Sequence, residues 1–194
     1  MSLLSHFRVV LAIGALALPC HAQVKAFGGT AERMAATRLF FTEKFELKGM
    51  VCAQYGQPQW KDEYDQKLES LKGKQLRLGK DFWTTLNTSV ALDFGGTVVP
   101  AGSYYLGLKC DAEGNFSLLV LRAEAADKAG WGPFAPDAWK PDFTVAMKRT
   151  ATDTSVDKLR IDLDSDEKEP THLTLSVSWG KHKLSVATKS QVSG

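Results

Sequence analysis

The sequence predicts an all-β fold, an antiparallel β-sandwich or flattened barrel of about eight short strands, and three observations predict it. Apolar and polar residues alternate from Phe82 to Phe94, Gly- and Pro-rich turn signals follow at close intervals, and helical spacing is confined to two short segments. Period-two alternation puts one row of side chains on each face of a strand, and closely spaced turns supply antiparallel neighbours. The 194 residues, 44% hydrophobic and 24% charged, suit a single globular domain of ordinary size. A net charge of +2 is too near neutral to recruit nucleic acid or an acidic membrane surface through bulk charge, so neither is an expected partner.

The opening stretch carries Arg8 and no acidic residue, then the apolar run Val9 to Leu18, followed by Pro19, Cys20, His21 and Ala22. That is the plan of a secretory signal peptide over residues 1–22, cleaved after Ala22. The run is shorter than the roughly 20 apolar residues of a bilayer-spanning helix, so no transmembrane anchor is expected after cleavage. A lipoprotein acylated at Cys20 is the minor alternative, because Pro19 directly before the cysteine suits it poorly. The expected product is a periplasmic or secreted chain of 172 residues carrying +1. It keeps Cys52 and Cys110, an even pair in an oxidising compartment, either bonded as a disulfide or buried as two small apolar thiols.

The sandwich domain is expected over 45–188, with 23–44 as an N-terminal segment and 189–194 as a tail. In the N-terminal segment, Ala31 to Phe41 is rich in Ala, Met, Leu and Arg and predicts a helical turn or two. Phe45 to Tyr55 reads as a strand stopped by Gly56, Gln57 and Pro58. Trp60, Tyr64, Leu68 and Leu71 recur at helical intervals, which predicts a short amphipathic helix over 60–71 covering one edge of the core. Between Phe82 and Phe94 the inward row is Leu86, Thr88, Val90, Leu92 and Phe94. Gly95-Gly96 supplies the positive backbone angles of a tight hairpin, and Pro100-Ala101-Gly102 turns the chain before Ser103 to Lys109. Asp111 to Asn115 then leads into a strand from Phe116 to Arg122.

A long connection, Ala125 to Asp142, has no usable periodicity. Strands resume with Phe143, Val145 and Met147 and again with Leu159, Ile161 and Leu163, before a solvated acidic loop from Asp164 to Glu169. If Gly180-Lys181 is a two-residue turn, Trp179 faces His182, Val177 faces Leu184 and Leu175 faces Val186, and all six share one face of a closing hairpin.

Four stretches, in this order, carry a resemblance: VCAQYGQP (Val51 to Pro58), LRLGKDFWTTLNT (Leu76 to Thr88), VVPAGSYYLGL (Val98 to Leu108) and LTLSVSWGKHKLSV (Leu173 to Val186). The chain resembles the secreted bacterial family known as domain of unknown function 2911 over roughly residues 45 to 188. The resemblance implies an exported β-sandwich and supplies no established reaction. The family pattern often has Arg beside the proline of the first stretch and Trp before the Arg of the second; here those places hold Gln57 and Leu76.

Searches for catalytic motifs return little. The stretch Gly73 to Asp81 has five residues between its glycines and Asp81 where a phosphate loop needs Ser or Thr. Ser103 follows Gly102, but Tyr105 stands where a nucleophile elbow has its second glycine. His172 and His182, the histidines after the expected cleavage, fall on opposite faces in the hairpin register, so no metal site and no cofactor is expected. Asp162, Asp164 and Asp166 alternate as in a calcium loop, but Glu167 and Leu173 occupy the glycine and bidentate-Glu positions. The candidates that remain are for ligand binding. Trp131, Phe134 and Trp139 sit in a Pro- and Gly-rich loop, where flat rings either stack on a sugar or peptide or fold back as a lid. Tyr55, Arg77, Asp81 and Trp83 lie in two of the resembling stretches, where an Arg beside aromatics either forks onto a carboxylate or phosphate or pins a loop.

These readings favour a non-catalytic binding or accessory module of the cell envelope, with a glycan, peptide or envelope protein as partner. The alternative is a hydrolase whose carboxylate or metal site has no sequence-local motif. A purely structural partner domain is the third reading.

Overall fold

A computed structural model describes residues 31–192 of the chain. The expected signal peptide, its cleavage site and Cys20 lie outside the described residues. Ten strands form one antiparallel sheet that is not closed: β1 (Met34–Phe41), β2 (Leu47–Tyr55), β3 (Gln75–Arg77), β4 (Thr84–Thr88), β5 (Ala91–Asp93), β6 (Val98–Val99), β7 (Gly102–Cys110), β8 (Phe116–Arg122), β9 (Phe143–Ser165) and β10 (His172–Gln191). The spatial order is β1-β2-β4-β7-β8-β9-β10-β5-β6, with β3 added to β7. The predicted β-sandwich is what forms.

Two long strands let this sheet fold over on itself. The start of β9, Phe143 to Met147, pairs with β8, and the strand continues from Lys148 to Ser165 as the partner of β10. One strand therefore belongs to both layers. The expected single strand from Phe82 to Phe94 also divides between them. Its first part, β4, pairs with β2 and β7; after Ser89 the chain crosses over, and β5 pairs with β10 and β6. The predicted inward row survives the crossing, since Leu86, Thr88, Val90, Leu92 and Phe94 are all buried. The Tyr55 hydroxyl on β2 donates to the Ile161 carbonyl on β9 at 3.2 Å and bridges the layers.

Two sequence expectations are corrected. The helix expected over Ala31 to Phe41 is strand β1, because pairing with β2 satisfies its backbone and outweighs a weak helical propensity. The closing hairpin at Gly180-Lys181 does not exist either. β10 runs straight through these residues, and Leu175 and Val177 pair with Leu163 and Ile161 of β9. Gly180 lies instead at a bulge, with register shifts on both sides and φ +59. A bulge changes which parity faces inward, so Leu173, Leu175 and Val177 are buried before it and Leu184, Thr188 and Ser190 after it.

Of the two states left open for Cys52 and Cys110, a disulfide or free thiols, the structure has both free, Cys110 buried and Cys52 half-buried. Through β4, Cys52 lies level with Ser103 of β7, seven residues before Cys110 and about 20 Å from it along the strand. The buried Val51 and Ala53 flank Cys52 and place it on the outer face, whereas Cys110 points into the core. Side chains on opposite faces at that distance cannot bond. Burial pushes the Cys110 thiol above its ordinary range, as suits a small apolar core residue.

The Pro-Ala-Gly-x-Tyr turn has a local cause. Tyr104, fully buried, donates its hydroxyl to the Pro100 carbonyl at 2.7 Å and ties the turn to the strand that follows it. Burial, with the Asp142 charge adding to it against Arg122, holds the phenol above the usual tyrosine range. A raised phenol contributes its stability in full below the unfolded value of about 10 and loses it as the pH rises through the folded value. Tyr104→Phe is therefore expected to lower stability by about 1 kcal/mol at neutral pH and to shrink the further loss above about pH 10. Urea midpoints measured on either side of that pH check both effects.

Candidate functional site

The structure separates the sequence-predicted site residues into two groups. Trp83 is buried and stacked on Tyr105, with ring centroids 4.5 Å apart and planes 4° from parallel; Trp139, also buried, lies 4.7 Å away on its other neighbour side. Trp131 packs against them, and all cover Leu119 and Leu121 on the outer face of β8. Trp139 donates its indole N–H to the Gly132 carbonyl at 2.9 Å, so the loop's own backbone occupies the ring's polar edge. The loop aromatics thus fold back as a lid, through a short helix α1 (Ala123–Lys128) and a 3-10 turn at Pro136–Ala138, and Phe134 alone of the three stays exposed.

Arg77 and Asp81 sit beside this lid. The Arg77 guanidinium donates to the Asp81 carbonyl at 3.3 Å and lies 5.0 Å from the Phe134 ring centre. Asp81 itself is exposed and holds φ +67. The Asp81 loop is locked from below, where Lys80 N–H donates to the Gly56 carbonyl and a Cβ on Gly56 would run into the Lys80 backbone. Two of the resembling stretches are thus joined by backbone contact. Tyr55 belongs to neither group's surroundings, being buried between the layers.

A cavity of about 540 Å³ lies where the 3-10 helix (Asp62–Leu71) covers the end of the core between β3 and β10, and Arg77 is among the residues at its edge. This helix is the one that Trp60, Tyr64, Leu68 and Leu71 predict, wound as 3-10 rather than α. None of its residues is fully buried, so it rests on the core as a cover. Leu68, Leu71, Leu76, Leu108, Leu159 and Val177 form the apolar wall. The volume falls within the roughly 300–1,000 Å³ of small-molecule sites.

An aromatic corner fixes the cover in place. Trp60 meets Tyr64 and Trp179 edge to face, at centroid distances of 5.6 and 5.1 Å, and Trp179 donates its indole N–H to the Pro58 carbonyl at 2.9 Å. The Trp60 ring lies directly over the Gly180 backbone, in the space a Cβ would fill. This explains the Trp-Gly pair: the bulge presents bare backbone to an indole from a segment far away in sequence.

Across the mouth runs a hydrogen-bonded chain. His182 Nε2 meets the Asp65 carboxylate at 2.6 Å, and its Nδ1 meets an Arg149 N–H at 3.3 Å. A guanidinium only donates, so Nδ1 is the acceptor and Nε2 carries the proton toward Asp65. Arg149 lines the cavity with Lys67 and with Arg77, the sequence-predicted residue that also reaches Asp81 and Phe134, and no carboxylate, serine or cysteine is among the described residues of the wall. His172 is remote from this site, at the start of β10 beside Glu169. No cluster of three or more His, Cys, Asp or Glu suited to a metal occurs among the described residues. Asp162 and Asp164 pair with Arg160 and Arg38, and Asp166 accepts the Lys168 and Glu169 backbone N–H groups of its own loop.

Sequence reasoning found the Trp60 to Leu71 cover and placed Trp179 and His182 on a shared face, but did not join them. It missed Arg149, although a signal was present: Arg149 keeps the spacing of Val145 and Met147 on β9 and stands exposed just past them.

A family model described as Protein of unknown function (DUF2911) matches residues 41–188. No curated protein and no solved structure matches the chain.

Proposed function

Because the chain belongs to the DUF2911 family, which carries no reaction with it, we propose that it is an exported, non-catalytic binding module of the cell envelope whose ligand occupies the cavity beneath the 3-10 helix. The observation that carries this reading is the wall: apolar side chains from the cover and both long strands enclose a small-molecule volume and present no serine, cysteine or carboxylate among the described residues. A hydrolase needs a nucleophile or two converging acids at its substrate. His182 and Asp65 have the form of a base and its orienting acid, but no group to activate stands beside them in that wall. Glycan or peptide recognition through the 125–142 loop is weakened by Trp131 and Trp139 packing onto the sheet. Export rests on Arg8, the apolar run after it and the small residues before Gln23.

The test uses N-phenyl-1-naphthylamine, a neutral apolar probe whose emission rises out of water. It is expected to bind saturably, one per chain, and at least about tenfold more weakly after Leu68→Trp fills the cavity from its cover. Non-saturable binding, or binding indifferent to that substitution, overturns the reading. Sequencing the exported chain should find Gln23 at its N-terminus; retention of uncleaved chain in the cytoplasm overturns the export half.

A further inference from the structure

We infer that the occupant of this cavity is a medium-chain amphiphile with a single anionic head, its apolar body against the leucine wall and its head on Arg149 and Lys67. The inference rests on the cavity being a ligand site. Its own warrant is the distribution of charge around the mouth.

Along β9 the buried Val145 and Met147 are followed two residues on by Arg149, which is exposed and lines the cavity where the core ends. Arg149 lies on the same side of the strand as these two residues, beyond the buried core at the cavity rim. Arg149 also lacks an acid partner among the described residues. Its contacts are a single N–H to His182 Nδ1 and the Phe116 ring, 5.9 Å from the guanidinium carbon. Most of its five N–H donors are therefore uncommitted.

The nearby carboxylate does not fill that role. Asp65 faces His182 Nε2, which takes its Oδ1 at 2.6 Å. Lys67 is paired with Glu63 one turn away at 3.3 Å, with both side chains more than half exposed, a contact weak enough to exchange for a ligand. Of the three cations that line the cavity, Arg77 is turned to the Asp81 carbonyl and the Phe134 ring, which leaves Arg149 and Lys67 to an incoming head. A neutral head gains little from them over water, whereas a carboxylate or phosphate gains forked, charge-assisted hydrogen bonds. The wall behind them favours an apolar body through burial. The cavity's volume limits that body to small-molecule size.

Isothermal titration of the whole chain with decanoate, decyl phosphate and 1-decanol, each below its aggregation limit, tests the inference. At least one anion is expected to bind about tenfold more tightly than decanol, and added salt to weaken only the anions. Arg149→Gln, at an exposed position where folding is retained and checked by circular dichroism, is expected to remove that preference and leave decanol unchanged. A tighter decanoate assigns a carboxylate head, a tighter decyl phosphate a phosphate head; both support the inference. Equal binding of decanol and the anions, or an anion preference untouched by Arg149→Gln, overturns it, while saturable binding of the naphthylamine probe leaves the cavity reading standing. If the probe and all three decyl compounds fail to bind, the cavity reading falls and this inference with it.

Discussion

Gly180→Ala is expected to destabilise the protein by about 3 kcal/mol and to lower the melting temperature by about 10 °C. Two costs add. Alanine pays for the left-handed backbone at φ +59, and its methyl group occupies space now filled by the Trp60 ring. Because Trp60 holds the cover over the cavity, the same substitution is expected to shift tryptophan emission to the red and weaken probe binding. A double-mutant cycle separates the two costs. In a Trp60→Ala background, the methyl group meets no indole, and Gly180→Ala should cost about 1–2 kcal/mol, the backbone part alone. Strict additivity with Trp60→Ala would show that indole and glycine do not interact, and the account of the Trp-Gly pair would be lost.

The other large effect belongs to Trp83, one of the residues the sequence nominated for ligand binding. Trp83→Ala is expected to cost about 3–4 kcal/mol, through loss of a buried indole packed between Tyr105 and Trp139. Occupancy of the cavity by the naphthylamine probe is expected to stay unchanged in the folded protein. The reason is topological: β8 is buried on both faces, with Leu118 and Val120 in the main core and Leu119 and Leu121 beneath the tryptophan cluster. The cluster and the cavity thus lie on opposite sides of the first layer. Urea unfolding measures the first effect and probe titration the second. A variant that keeps its stability and loses binding would return Trp83 to the ligand site.

The opposite faces of β8 also explain why the candidate site was only half legible. Tyr55, Arg77, Asp81 and Trp83 lie in two of the resembling stretches, and that shared membership suggested a common site. Alternation sends successive side chains to opposite faces of a sheet. Tyr55 therefore enters the core, Trp83 joins the outer cluster, and Arg77 pins the Asp81 carbonyl while covering Phe134. Trp60, Arg149 and His182, by contrast, come from three distant segments. Their meeting depends on the Gln59 to Lys158 bridge and the β9-β10 pairing, which no local pattern specifies.

What the amino-acid sequence determined by itself was phase. Alternation fixed which side chains of β4, β5, β9 and β10 face inward, and those residues join the core. It also recorded that the phase changes at Gly180. Only the tertiary structure decided how, because a tight turn and a bulge both exchange odd for even positions and leave the same mark on the sequence. The difference lies in the partner. β9 is long enough to pair with β10 on both sides of Gly180, so the strand continues and its backbone groups bond across to β9 instead of folding back on themselves. The same partner strand brings Arg149 beside His182 and the cover over the cavity, which is why the site appeared only when the strands were assembled.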